Sequence, residues 1–171
     1  SGPWLAFSCR VTLGLANGQV TARFDGQPDY KSMYYATSGA CYEEYAGAKR
    51  NPNTIAALDL TVTVPQTPSG AGGGQMRGAV VGVALNGVPI FGNFAAPGDD
   101  IFQEAETFDK YAGHPQDRGV YHYHAEPIGL TSDDAKLVGV LLDGSPVYGR
   151  RDADGSSPTL DDAGGHTGVT A

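Results

Sequence analysis

Twelve residues of this chain occur twice, and that repetition restricts its fold more than any other feature. Val81 to Gly92 reads VGVALNGVPIFG and Val138 to Gly149 reads VGVLLDGSPVYG, with seven of the twelve positions identical. Each copy predicts a strand, a turn at Asn86-Gly87 or Asp143-Gly144, and a second strand starting near Pro89 or Pro146. Two-residue turns of type I′, with both central residues at positive φ, are the expectation for Asn-Gly and Asp-Gly. A repeated hairpin calls for a sheet in which the two copies are equivalent.

The repetition continues past the hairpins. Thr107 to His114 reads TFDKYAGH and Thr159 to His166 reads TLDDAGGH, so Asp109 matches Asp161 and His114 matches His166. Sheet packing alone gives little reason to keep Asp and His at one spacing in two copies. Two half-units about a pseudo-twofold would bring the matched residues toward one axis. The plainer alternative is a shared turn, in which Asp and Thr cap a helix and the histidine is incidental.

Only four histidines occur in 171 residues, and three lie within Gly113 to His124, GHPQDRGVYHYH. Val120 and the two tyrosines give Tyr121–His124 strand character, and Pro127 ends it. Alternate side chains of a strand share a face, so His122 and His124 stand together, roughly 7 Å apart at their roots. Tyr121 and Tyr123 then share the opposite face and pack. Two imidazoles at that separation can tilt onto one ion, and His114 stands close upstream. The expected ligand set is His114, His122, His124 and His166 with Asp109 or Asp161. Glu106, Tyr121 and Tyr123 are expected just behind it. Imidazole and carboxylate suit a copper or zinc ion, with the two unresolved. Against this stands the reading of buried histidines satisfied by backbone carbonyls or carboxylates.

The N-terminal part predicts more strands. Trp4–Phe7, Cys9–Leu13 and Val20–Phe24 read as extended, with Asn17-Gly18 the hairpin turn between the last two. Ala40–Arg50 reads as a short helix ending before Asn51-Pro52. Thr54–Val64 reads as a strand with Leu58, Leu60, Val62 and Val64 on one face. Pro65–Gly74 is a loop, and its GAGGG lacks the Gly-Lys-Ser/Thr ending of a phosphate loop. Asp99-Asp100 predicts a helix cap. Asp152–Gly155 looks like part of a calcium loop but lacks the remaining ligands. Glycine (25 residues) and proline (11) fit many turns and short strands.

The expectation is therefore one mainly β domain over 1–171, with antiparallel sheets and a few short helices. Residues 1–64 form its N-terminal strands, 78–125 the first repeat unit and 136–171 the second. The net charge of −8 argues against nucleic acid, which needs clustered Lys and Arg. No apolar run reaches the ~20 residues of a membrane span. Cys9 and Cys41 are expected to form a disulfide in an exported protein, closing a loop of about 30 residues worth roughly 3–4 kcal/mol. A mature form explains the lack of a leader.

VGVALNGVPIFG, AETFDKYAGHPQDRGVYHYHAEP, LVGVLLDGSPVYGRRD and LDDAGGH together resemble the YHYH domain family, named for the motif at Tyr121–His124. Asn51-Pro52-Asn53-Thr54 before a strand ending in Val64-Pro65 is similar to that family as well. The resemblance implies an exported, mostly bacterial protein, secreted or periplasmic, with no settled activity. Family members often carry a further histidine-containing strand after the second Gly-His, whereas this sequence ends at Ala171. Three functions are in play: a metal-binding protein, a metal-assisted hydrolase, and a metal-free surface module that meets a protein or glycan through its tyrosines. No GxSxG elbow and no cysteine lies near the histidines, which leaves water as the nucleophile of any hydrolase.

Overall fold

The structure is a computed structural model, and it describes residues 2–68, 80–95, 100–162 and 164–170. The expected GAGGG loop and Asp99 lie outside the described residues.

Two sheets carry the fold. Strands β1 (Thr12–Ala16), β2 (Gln19–Phe24) and β3 (Leu60–Pro65) form an antiparallel sheet in that order. The β1–β2 turn has Asn17 at φ 51 and Gly18 at φ 72, the positive pair that Asn-Gly predicts. Strands β4 (Val80–Ala84), β5 (Pro89–Phe91), β6 (Gly113–Pro115), β7 (Tyr121–Tyr123), β8 (Leu137–Leu141) and β9 (Pro146–Tyr148) form the second sheet, ordered β6-β7-β5-β4-β8-β9. All its contacts are antiparallel except β5 with β7, which is parallel and corrects the all-antiparallel expectation.

The repeated hairpins are β4–β5 and β8–β9, and they meet at the centre of the sheet. Val83 pairs with Val140, and these are matched positions of the two copies. Gly82 and Gly139 are also matched, and both are dictated by close approach. A Cβ on Gly82 would sit 2.7 Å from the Val140 carbonyl oxygen, and one on Gly139 would sit 2.6 Å from that of Val83. The turns are not type I′. Only Gly87 (φ 83) and Gly144 (φ 89) have positive φ. The Ala84 N–H bonds to the Val88 carbonyl and that of Leu141 to Ser145, so each loop has three residues with glycine in the left-handed position. Such loops suit a tight bulged hairpin.

The core lies between the sheets. Val20, Ala22 and Phe24 of β2 and Val64 of β3 meet Val83 and Val140. Leu60 and Val62 pack on the same side, as their alternation predicts. Trp4 joins this core from a 3-10 turn, Pro3–Ala6, rather than from a strand. Pro3 near its start has the φ of a helical first turn, which outweighs the strand character of the apolar residues. A second cluster places Met33, Tyr34 and Ile55 against Ala84, Val88, Tyr121 and Tyr123.

Three further expectations need correction. Residues 40–50 form turns, not a helix, and Tyr42 makes an isolated bridge with Ser32. The extended stretch from Thr54 enters a ladder only at Leu60. Cys9 and Cys41 are both free and exposed. Different neighbours hold them: the Ser8 N–H bonds to the Leu85 carbonyl, while the Cys41 carbonyl accepts from Ser32 N–H. No helix among the described residues is long and apolar enough to cross a membrane.

Candidate metal centre

Strand β7 divides its side chains as the alternation predicts. Tyr121 and Tyr123 are fully buried on one face, and His122 is buried on the other. Antiparallel pairing with β6 sets His114 directly opposite His122. Asn51 and Asn53 brace β6 by donating to the Pro115 carbonyl, at 2.9 and 3.3 Å. His124 follows β7 and keeps its ring on the His122 face, with only 4% of its side chain exposed.

The three rings converge through their Nε2 atoms. His114 Nε2 lies 3.0 Å from His122 Nε2, which lies 3.1 Å from His124 Nε2. One ligand atom from each ring falls within 4.8 Å of the others. Phe91 stacks on His122 at 3.9 Å between centroids, and Phe108 lies parallel to His124 and edge-on to His114. These aromatics pack against the cluster.

The far nitrogens reveal the tautomers. His122 Nδ1–H donates to the Val120 carbonyl at 3.0 Å, and His124 Nδ1–H to the Gly92 carbonyl at 2.7 Å. His114 Nδ1 meets Thr107 Oγ1 at 2.6 Å. The Thr107 hydroxyl spends its own hydrogen on the Glu104 carbonyl at 2.7 Å, so it accepts from His114 Nδ1–H. In the neutral rings all three protons are therefore on Nδ1, and the Nε2 lone pairs of His114 and His124 both face that of His122. The short Nε2 contacts have hydrogen-bond length but no hydrogen to fill them.

A proton on His122 could fill one gap, but burial opposes it. Desolvation, and next the charge on a neighbouring ring, lowers His114 to about 4 and His122 to about 3. The neutral rings that result are the form in which imidazole binds a metal. With metal–nitrogen bonds of about 2.0–2.1 Å, nitrogens on one ion stand ~2.9 Å apart at a right angle and ~3.4 Å apart in a tetrahedron. The His114–His122 and His122–His124 separations, 3.0 and 3.1 Å, fall in that span.

The other expected ligands lie elsewhere. Asp109 is buried, but its carboxylate serves the tyrosine face. It accepts from Ser32 Oγ at 2.5 Å and Tyr121 OH at 2.8 Å, and from the N–H groups of Tyr111 and Gly113. Asp161 is exposed and makes the matching turn: the Asp109 N–H bonds to the Gly113 carbonyl and that of Asp161 to Gly165, both at 2.8 Å. Ala112 and Gly164, at matched positions, both have positive φ. The shared Asp…Gly-His is thus a shared turn. After it, His114 enters β6, whereas His166 meets no strand and bonds Asp152 at 2.7 Å on the surface. The expected meeting of histidines from both copies does not occur among the described residues. Glu106 is exposed and pairs with Lys49 at 3.4 Å.

Two residues of the centre were not expected. Asp100 caps the helix α1 (Ile101–Glu104), its carboxylate accepting from Phe102 N–H at 2.9 Å. That short helix delivers Glu104, whose Oε2 lies 3.4 Å from His124 Nε2 and 4.0 Å from His114 Nε2. Thr107 follows it and fixes the His114 tautomer. The Asp cap was a readable signal for the helix, but nothing in one dimension aims the helix at the histidines.

The model of a protein family described as YHYH protein matches residues 61–165, more than half of the chain. The chain belongs to the YHYH family. The matched span covers both repeated hairpins and the three clustered histidines, so the centre lies within the part that defines the family. No curated protein and no solved structure matches the chain.

Proposed function

We propose that this YHYH protein binds one transition-metal ion through His114, His122 and His124. The observation that carries the proposal is the set of three buried Nε2 acceptors converging with no donor among them. Burying an unmatched acceptor costs about 1–3 kcal/mol, and three facing one another cost more. A cation removes that penalty. A metal-free structural role gives no such relief, because every Nδ1–H is already committed to another acceptor. Three imidazoles suit zinc and copper, and the protein is proposed to carry one of these as an exported protein.

The test is elemental analysis of tag-free protein, with His122→Ala and His124→Ala alongside. One equivalent of zinc or copper is expected in the parent and little in either variant. Equal metal content in all three would overturn the proposal.

A further inference from the structure

We infer that Glu104 is a fourth donor to this centre and makes it selective for a divalent ion over cuprous copper. The inference rests on the metal-binding reading above and assigns the site its charge. Glu104 is not a neighbour by sequence motif. It reaches the cluster because the capped turn at Asp100 starts a helix whose last residue projects over the histidine face. Its Oε2 is a pure acceptor aimed at His124 Nε2, itself an acceptor, at 3.4 Å. That is the separation of two donors on one tetrahedral ion, ~3.4 Å with bonds of about 2.0–2.1 Å. Two donors on one ion can stand no farther apart than about 4.1 Å, twice the bond length. The 4.0 Å from Oε2 to His114 Nε2 satisfies that limit.

The same segment holds the site in a second way. The Glu104 carbonyl accepts the Thr107 hydroxyl, and Thr107 in turn accepts from His114 Nδ1–H. Residues 100–107 therefore supply one donor through a side chain and orient another through a backbone oxygen. The Glu104 side chain is 21% exposed, so the fourth position faces the solvent side of the cluster. A hard, charged carboxylate oxygen favours Zn(II) and Cu(II). It does little for Cu(I), which three imidazoles satisfy without it.

The experiment uses the full chain and the isosteric variant Glu104→Gln, with His122→Ala as reference. Affinities for Zn(II) and for Cu(I) are measured by competition with chromophoric chelators, and the visible absorption of the Co(II)-loaded protein reports ligand geometry. Glu104→Gln is expected to bind Zn(II) at least tenfold more weakly and to shift the Co(II) bands, while its Cu(I) affinity stays within about threefold of the parent. Glu104→Asp should recover part of the Zn(II) loss. Retained Cu(I) binding also shows that the variant is folded. Unchanged Zn(II) affinity and Co(II) bands in Glu104→Gln would overturn the assignment while leaving the three-histidine centre intact. Parallel loss of Zn(II) and Cu(I) would overturn the selectivity. A parent protein that takes up neither ion would remove the underlying reading as well.

Discussion

The two faces of the Tyr121–His124 stretch carry two residues each and obey opposite rules. On the tyrosine face the hydrogens run in one direction. Asn86 Nδ2 donates to Tyr123 OH at 3.2 Å, Tyr123 bonds Tyr30 at 2.6 Å, Tyr30 bonds Tyr121 at 3.1 Å, and Tyr121 donates to Asp109 at 2.8 Å. Each phenol can give one hydrogen and take one, and burial holds all three above their ordinary pKa, so all keep their protons. The histidine face also buries polar side chains but carries no such chain. Its donors all point outward and its acceptors all point inward. One face is complete as folded, and the other is the one proposed to be completed by a cation.

That contrast has a pH signature, the largest effect expected. His114 and His122 are held to about 4 and about 3 in the folded protein, against 6.5 when unfolded. Between those values the unfolded chain binds more protons, so metal-free stability is full above pH 6.5 and falls as the pH drops toward 4. Excluding a proton from one ring over that span costs about 3 kcal/mol, and the two rings are coupled, so their effects do not simply add. Denaturant unfolding in chelator at pH 7.5 and pH 4.5 measures it. The three phenols of the tyrosine face keep their protons throughout this window. A flat profile, or one unchanged in His122→Phe, would erase the distinction between the faces.

A smaller effect separates them from the other side. Tyr121→Phe removes the hydrogen that Asp109 accepts and the acceptor that Tyr30 faces, which should destabilise the fold by about 2 kcal/mol. Metal uptake should not change, since the phenol lies across the strand from the proposed metal position. Urea unfolding and metal analysis of one preparation read both quantities. Loss of metal in this variant would mean that the faces act as one unit.

Much of this division could be read from YHYH itself, because period-two alternation is a property of any strand. The first hairpin was equally legible, since Asn17-Gly18 between alternating segments has few other conformations. What failed was context. Trp4–Phe7 has strand residues, yet Pro3 starts a helical turn. The matched Asp109 and Asp161 suggested paired ligands, but both carboxylates satisfy the turn that precedes Gly-His. That turn is local and survives in both copies. The strand after it is tertiary and forms only where β7 is present to pair with His114. His166 follows the same turn and finds no partner strand. The cysteine pairing rested on composition, which says nothing about where two side chains end. Glu104 and Thr107 were hidden for the opposite reason: each is ordinary in sequence and acquires its role when α1 lies over β7.

Thr107 offers the finest test. It touches no proposed metal position; its hydroxyl accepts from His114 Nδ1–H and donates to the Glu104 carbonyl. Thr107→Val keeps the shape and removes the acceptor, so His114 loses the partner that fixes its proton on Nδ1. The ring is then free to place that proton on Nε2, toward the other two histidines, where it would fill the gap the ion occupies. Loss of such an outer partner weakens metal binding by about tenfold or somewhat more, roughly 1.4 kcal/mol. Thr107→Ser, which retains the oxygen, should bind like the parent. Chelator competition on the three proteins measures the difference. Equal affinity for Thr107→Val and Thr107→Ser would mean that the proton positions on this face are not what directs the lone pairs inward, and the contrast with the tyrosine face would then rest on distance alone.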